Sequence, residues 1–245
     1  MIKLDRNFTP IYLTPPMVHD LTEEFKKNGT NVWNNDEIKI PLLKLSHNKC
    51  AYCECDLSKE SKFMEVEHFE DKNSTPDKVV VWENLLPSCK RCNGSKSTHD
   101  VIAEPIVNPF ISDPRLHLTL KLYRFKGIDS IGLNTIEAID LNHTTRATLK
   151  RFEIGNAILE NLELVNESLN SYKANQITRR RNKVLSQIEK LLLEAQPQAE
   201  YAATAATVLQ NESLYLTIKT ELQALGIWND ELEILDQYSR NIAFN

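Results

Sequence analysis

Apolar side chains recur every three, four or seven residues over 149–169 and again over 177–195. This spacing gathers them on one face of each segment, which is typical of amphipathic α-helices that pack against one another. Pro197 ends the second run, and further helices are predicted beyond it, near 199–210, 212–225 and 230–240. We therefore expect residues 146–245 to form an antiparallel helical region.

The first 45 residues combine turn signals with short helical patterns. Pairs such as Thr-Pro and Asn-Gly punctuate the segment and mark the places where the chain changes direction. Between these turns, helices are predicted over 18–27 and 37–45. We expect residues 1–45 to form an arm that leads into the following segment and packs on it.

Apolar and polar positions alternate over 118–125, which predicts a single β-strand. Another short strand is predicted near 131–133. A short helix is predicted to end at Ile139, with Asn134 or Thr135 as its N-cap. This part of the chain is expected to extend the segment that precedes it.

The patterns together predict an α+β protein that is mostly helical, with an arm, a core, a short extension and a helical region over 1–45, 46–112, 113–145 and 146–245. The composition is that of an ordinary globular protein, because 41% of the 245 residues are hydrophobic and 26% are charged. No apolar run of about 18 residues is present, and the first residues lack the apolar centre of a signal peptide. We expect a cytoplasmic protein.

The charge balance bears on possible partners, because proteins that bind nucleic acid unaided usually present a basic face. The net charge is −5. Residues 46–112 contain 8 Lys and Arg against 11 Asp and Glu, and residues 146–245 contain 11 against 13. Neither segment is a basic module. Any contact with nucleic acid is expected to depend on local charge, on a bound metal or on the surface of a partner.

The five cysteines are clustered in a short part of the chain. Cys50 and Cys53 form one CxxC pair, Cys89 and Cys92 form a second, and Cys55 is left over. Two CxxC turns can direct four thiolates at one ion and leave no open position, which predicts a structural zinc site. The alternatives are a redox-active pair or free buried thiols. Cys55 is expected to be a bystander thiol and not a zinc ligand, because its spacing from Cys53 does not suit a CxxC zinc-binding turn.

The 35 residues between the two pairs contain the polar residues that suit phosphodiester chemistry. A strand is predicted to begin near Phe63 and to carry Glu67 and His68. Histidine is a suitable general base near neutral pH, and carboxylate and amide oxygens suit a hard divalent cation. Neighbours on a strand point to opposite faces, so Glu67 and His68 share a site only if the strand bends. Asn93, directly after the second pair, offers an amide oxygen on a helix that zinc would hold against the strand.

Each of these residues also has an ordinary explanation when taken alone. A Glu-His pair is usually a surface or core pair, Asn84 can cap a turn, and Lys96 can be solvated. Their fixed order between paired CxxC motifs favours the functional interpretation. That order resembles the four-cysteine version of the HNH endonuclease, or ββα-metal, family. The matching elements are Cys50 and Cys53, Glu67-His68, Asn84-Leu85, Cys89 and Cys92, Asn93 and Lys96.

The resemblance implies a zinc-stabilised ββα-metal core and a role for each matched residue. It implies that His68 is the general base that activates water, and that Glu67 and Asn93 bind one catalytic divalent ion. It implies that Asn84 orients the active-site loop and the His68 ring, and that Lys96 contacts a phosphate. The third letter of the HNH motif is Asn93 here instead of histidine. An amide oxygen is a harder ligand than imidazole, which favours Mg²⁺ or Mn²⁺.

The amino-acid sequence around these residues is similar to that of PtuB-type HNH nucleases, the effectors of Septu and of certain retron anti-phage systems. The similarity covers residues 1 to 151, and its motifs are Cys50-Ala-Tyr-Cys53, Val66-Glu-His-Phe69, Trp82-Glu-Asn-Leu-Leu86 and Val107-Asn-Pro-Phe110. It implies a PtuA-like ABC-type ATPase as partner, with reverse transcriptase and its DNA in retron systems. The substrate implied is DNA or transfer RNA. Where the family commonly has Arg-Pro-Lys, this chain has Glu70-Asp-Lys72, which leaves Lys72 as the substrate contact in that motif.

Two other functions stay open at this point. One is a non-catalytic zinc ribbon that binds the ATPase or nucleic acid, and the other is a stand-alone toxin or homing nuclease, which the acidic charge disfavours. The run Arg179-Arg180-Arg181 with Lys183 could contact nucleic acid or the ATPase, but a solvated helix face is the simpler interpretation.

Overall fold

The computed structural model describes residues 1–58 and 64–245. Phe63, where the first strand was predicted to begin, lies outside the described residues. The protein is α+β and mostly helical, as predicted, and its contacts divide the chain into two compact units. The first unit comprises Met1–Thr119 with Phe125–Asn142, and the second comprises Leu120–Arg124 with His143–Asn245.

The N-terminal arm contains the two predicted helices, α1 (Pro15–Asn28) and α2 (Asp36–Leu45). The Thr14 hydroxyl and the Asn35 side chain cap their first turns by accepting backbone N–H groups. The arm also contacts the segment between the two CxxC pairs, because the Arg6 guanidinium donates to the Leu85 carbonyl over 2.8 Å.

A ββα motif holds the residues of the predicted site. Strand β1 (Met64–His68) pairs antiparallel with β2 (Leu85–Cys89), and α3 (Lys90–Lys96) begins directly after β2. In this register His68 lies opposite Leu85, and Met64 lies opposite Cys89. The backbone N–H of Ala51 donates to the Pro87 carbonyl over 2.9 Å. The first CxxC turn is therefore fixed against β2, directly before the second CxxC pair.

The predicted strand over 118–125 is wrong in one respect, because it is a hairpin of two strands. Strands β3 (Leu118–Lys121) and β4 (Arg124–Gly127) pair with each other. Leu122 and Tyr123 form the turn with φ values of 49° and 63°. Such a turn normally uses Gly, Asn or Asp, so the alternating pattern concealed it.

The strand predicted near 131–133 is also wrong, because these residues belong to helix α4 (Ser130–Ile139). Its N-cap is Asp129, whose carboxylate accepts the Gly132 N–H over 2.8 Å. The cap predicted at Asn134 or Thr135 is therefore misplaced by more than a turn, although the end at Ile139 is correct. Apolar residues at the start of a short amphipathic helix resemble those of a short strand, and Asp129 decides between them.

Residues 146–245, which make up most of the second unit, are helical, as predicted. A short π-helical turn, Thr144–Thr148, leads into α5 (Leu149–Ala174). The remaining helices are α6 (Thr178–Glu194), α7 (Ala202–Asn211), α8 (Ser213–Ala224) and α9 (Asp230–Ile242). Their apolar faces share one core, whose fully buried members include Leu162, Leu169, Val184, Ile188, Leu209 and Leu222. Among the described residues, no helix is long and apolar enough to cross a membrane.

Candidate active site

Four of the five cysteines converge on one point. The ligand atoms of Cys50, Cys53, Cys89 and Cys92 all lie within 4.8 Å of one another. A zinc ion bound tetrahedrally at about 2.3 Å requires sulfur–sulfur separations of about 3.8 Å. The Cys53 and Cys89 sulfurs are 3.8 Å apart. The cluster thus has the chemistry and the dimensions to hold a zinc ion.

Two groups beside the cluster, a guanidinium and a backbone N–H, favour thiolates. The Arg91 guanidinium lies 3.2 Å from the Cys92 sulfur and also donates to the Asp140 carbonyl over 2.7 Å. The Cys92 N–H points at the Cys89 sulfur, as expected at a helix N-cap. Hydrogen bonds among the sulfurs lower the pKa of Cys53 and lower that of Cys89 to about 4, whereas burial and sulfur contacts raise the pKa of Cys50 and Cys92. A cation beside the cluster and an N–H directed into it both stabilise the anionic form that zinc binds.

Cys55 is buried beside the cluster but is not one of the four converging residues. Its backbone carbonyl accepts the Cys50 N–H over 2.9 Å. Sulfur contacts, chiefly with Cys50, raise the pKa of the Cys55 thiol, which keeps it protonated. This placement favours the predicted role of bystander.

His68 is the last residue of β1, and its ring is held from two sides. Its Nε2 lies 2.9 Å from the Val79 carbonyl, so in the neutral ring this nitrogen donates and Nδ1 is left as the acceptor. Burial lowers the pKa of His68 to about 4, which keeps the imidazole neutral at pH 7. The Trp33 ring meets the imidazole edge-on, with centroids 4.7 Å apart.

Glu67 precedes His68 and is almost fully buried, with 2% of its surface exposed. Burial raises the pKa of this carboxyl to about 7, against the lowering effect of the Lys96 ammonium. The Lys96 Nζ lies 2.7 Å from Oε1 of Glu67 but not in line for a hydrogen bond. No other described residue donates to that oxygen. A buried carboxylate paired with one ammonium keeps further oxygen lone pairs that can bind a metal ion.

Asn93 lies in α3 and faces β1. Its amide Nδ2 donates to Oε2 of Glu65 over 2.6 Å. This contact fixes which end of the amide faces the carboxylate, and it leaves the Asn93 oxygen available as an acceptor. Sequence reasoning missed Glu65. The two-residue period of a strand places Glu65 and Glu67 on the same face, and this signal could have identified it.

The three central residues of the predicted site lie around one pocket. Glu67, His68 and Asn93 line a cavity of about 90 Å³. Its rim also includes Trp33, Asp71 and Lys72. The cavity exceeds the share of about 30 Å³ that a water molecule takes in the liquid, so an ion with water ligands fits. Glu67 and His68 share this pocket although β1 stays paired with β2 through His68.

Asn84 fixes the loop that approaches His68. Its Oδ1 accepts the Glu70 N–H over 2.8 Å, and its Nδ2 donates to the carbonyls of Glu70 and Lys78. Val79, the carbonyl partner of His68, directly follows Lys78. Asn84 thereby ties Glu70, which follows β1, to Lys78, which directly precedes the carbonyl partner of His68.

The two lysines predicted to contact substrate lie in different environments. Lys96 is buried, and its ammonium donates to the His68 carbonyl over 2.9 Å besides pairing with Glu67. This placement does not support the predicted phosphate contact, because the ammonium is turned inward. Lys72 is partly exposed at the pocket rim, with its Nζ 5.3 Å from the centroid of the Trp33 ring, where a phosphate can reach it.

Comparison with known proteins shows which family the chain belongs to. The Septu protein PtuB of Bacillus thuringiensis is 43% identical over 225 residues, which cover 91% of this chain and 88% of that protein. This chain belongs to the PtuB family. The Septu protein PtuB of Bacillus mycoides (strain KBAB4) is 26% identical over 162 residues, or 51% of this chain and 53% of that protein. No family model and no solved structure gives a significant match.

The match to the first PtuB relative extends further than the sequence motifs indicated. An alignment of 225 residues is longer than the first unit, so it includes much of the helical unit. The motifs that carried the resemblance end near residue 151. Amphipathic helices conserve a pattern more visibly than particular residues, which explains why the motifs did not indicate this part of the PtuB likeness.

We predict that substitution of a cluster cysteine removes zinc from this PtuB-family chain. Cys92→Ser replaces a soft thiolate with a hydroxyl and leaves three ligands, so zinc content measured by elemental analysis should fall from one ion per chain to well below one. The matched control is Cys55→Ser, which should keep its zinc. Absence of zinc in the unaltered protein, or equal loss in the two variants, would contradict the assignment.

Proposed function

We propose that this chain is a metal-dependent HNH-type endonuclease that hydrolyses phosphodiester bonds of nucleic acid as the effector of an anti-phage system. The observation that carries the proposal is the pocket shared by Glu67, His68 and Asn93. A neutral imidazole and two oxygen donors at one cavity are the groups that phosphodiester hydrolysis with a divalent ion requires. Membership of the PtuB family supports the defence role.

In this mechanism His68 is the general base. Its Nε2 donates to the Val79 carbonyl, so Nδ1 receives the proton of the attacking water. The imidazolium that forms is stabilised because Nε2 retains its hydrogen bond. The Trp33 edge restricts rotation of the ring and excludes bulk water from one side of it. Both contacts reduce the reorganisation that proton transfer requires.

Glu67 and Asn93 would hold the catalytic ion through one carboxylate and one amide oxygen, a donor set that favours Mg²⁺ or Mn²⁺. When bound, such an ion supplies charge stabilisation for the phosphoryl oxygens and the leaving 3′ oxygen. Lys96 holds Glu67 and the His68 carbonyl from the protein interior. Its role in this proposal is therefore positioning, and Lys72 at the rim contacts the substrate phosphate.

We further propose that the chain acts with a PtuA-like ABC-type ATPase. The relatives are both named Septu proteins, and the net charge of −5 supports a need for a partner that helps to bind a polyanion. DNA and transfer RNA are both candidate substrates. In a retron setting, a reverse transcriptase and its DNA would join the assembly.

We predict that His68→Ala abolishes cleavage while the fold persists. Loss of a general base typically reduces a rate by about 100- to 10,000-fold. The measurement is Mg²⁺-dependent cleavage of plasmid DNA and of total RNA by the chain purified with the ATPase. Zinc content and the circular dichroism spectrum should not change.

The matched control for this test is His19→Ala, since His19 is exposed on α1. This variant should cleave like the unaltered protein. If His68→Ala retains full cleavage or full phage protection, the zinc motif is a binding ribbon and the nuclease proposal fails.

We predict that Glu65→Ala raises the Mg²⁺ concentration needed for half-maximal cleavage. Loss of the carboxylate frees the Asn93 amide to rotate, and loss of such a supporting contact typically weakens metal binding by about 10- to 100-fold. Saturating Mg²⁺ should restore most of the rate. Glu83→Ala, which removes an exposed carboxylate, is the control. An unchanged Mg²⁺ requirement in Glu65→Ala would show that Asn93 is not oriented by Glu65.

A further inference from the structure

The segment that joins α5 to α6 is positively charged, whereas the rest of the helical unit is negatively charged. Residues 168–188, from the end of α5 to the middle of α6, contain five of the eleven Lys and Arg residues in 143–245 and none of the thirteen Asp and Glu residues. The unit as a whole carries an excess of acidic residues, so its positive charge is concentrated at the turn between the two helices. A local concentration of this kind produces a positive potential that net charge does not reveal.

The five basic side chains of this segment differ in the contacts that they make. Lys173 pairs with Glu221 over 2.6 Å, and the Arg180 guanidinium donates to the Ser171 carbonyl over 3.0 Å. Arg179, Arg181 and Lys183 are exposed. Within the part of the chain that the structure describes, these three residues make no ion pair. We call them the α6 basic patch.

The position of the patch does not favour stability of the unit. Arg179 and Arg181 lie in the first turn of α6, which contains no acidic residue and has no side-chain cap at Ile177. Cations at a helix N-terminus oppose the helix dipole, and like charges close together repel each other. The residues of α6 that bind the helix to its core are the buried apolar ones, such as Val184 and Ile188. These exposed charges are therefore available for an interaction outside the unit.

The chemistry of the surrounding surface identifies the kind of partner. The exposed residues next to the patch in sequence are neutral and polar, namely Asn175, Gln176, Thr178 and Asn182. Arginine, lysine and small amide or hydroxyl side chains are the groups that contact phosphate and sugar in nucleic-acid complexes. Protein interfaces instead centre on buried apolar or aromatic anchors. Ile177, with 46% of its surface exposed, is the single large apolar side chain here.

We propose that the α6 basic patch, formed by Arg179, Arg181 and Lys183, binds the phosphodiester backbone of nucleic acid. This inference extends the proposed function, because it gives the substrate a contact in the helical unit besides the pocket of the first unit. The patch would add local positive charge to a chain whose net charge is −5, alongside any contribution from the ATPase. The recognition is electrostatic and independent of base sequence.

The test measures binding separately from cleavage. The parent is the full zinc-loaded chain with His68→Ala, and fluorescence anisotropy reports its binding to a labelled DNA duplex and to a labelled RNA hairpin. The patch variant adds Arg179→Glu, Arg181→Glu and Lys183→Glu. The control variant adds Lys27→Glu, Lys121→Glu and Lys126→Glu, three exposed lysines that give a similar change in net charge.

The patch variant should bind much more weakly than the control variant. For the duplex, the slope of log affinity against log salt concentration should become shallower by about 2.7, or about 0.9 for each of the three phosphates that the patch no longer neutralises. The thermal unfolding temperature should not decrease, because glutamates in the first turn of α6 complement the helix dipole. Reduced binding of one of the two nucleic acids alone identifies the class that the patch serves.

Three results would overturn the inference. They are no salt-dependent binding by the parent, equal weakening in the patch and control variants, and unchanged binding by the patch variant. If the last result comes with failure to co-purify with the ATPase, the patch belongs to a protein interface. Failure of the proposed nuclease function would appear elsewhere, as absence of Mg²⁺-dependent cleavage by the unaltered chain.

Discussion

The convergence of four cysteine sulfurs from two distant parts of the chain is the constraint on which the candidate site depends. Cys50 and Cys53 precede β1, whereas Cys89 and Cys92 end β2 and begin α3. A two-stranded sheet of five residues per strand and a helix of two turns bury little apolar surface alone, so small motifs of this size usually need a metal or a disulfide. A zinc ion bound by the four cysteines would supply free energy that such a motif lacks.

Short stretches of α3 and β1 link the four-cysteine cluster to the pocket of Glu67, His68 and Asn93. Cys92 and Asn93 are consecutive in α3, and Asn93 faces Glu65 on β1. Lys96, one turn further, holds Glu67 and the His68 backbone. A displacement of α3 therefore moves Asn93, a proposed metal ligand, together with Lys96, which pairs with the other proposed ligand, Glu67. Asn84 supplies a second, independent restraint, because it fixes the loop whose Val79 carbonyl orients His68.

Local patterns in the sequence predicted the parts of the structure that depend on local chemistry. The CxxC spacing predicted the four-sulfur cluster, and apolar periodicity predicted the helices of the second unit. The hairpin at Leu122 was not predictable by its residue types, because non-glycine residues adopt left-handed φ angles there. Burial of Lys96 and the approach of Trp33 from the arm depend on tertiary packing between segments far apart in sequence. No local pattern encodes such contacts.

We infer that the four-cysteine cluster, when it holds zinc, organises a second metal site in the first unit. Electron paramagnetic resonance of Mn²⁺ added to the protein before and after removal of zinc tests it directly, with circular dichroism to verify that the helices persist. The account predicts that the zinc-loaded protein binds one Mn²⁺ and that the zinc-free protein does not bind it at the same site. Mn²⁺ binding that is unchanged after zinc removal would contradict it.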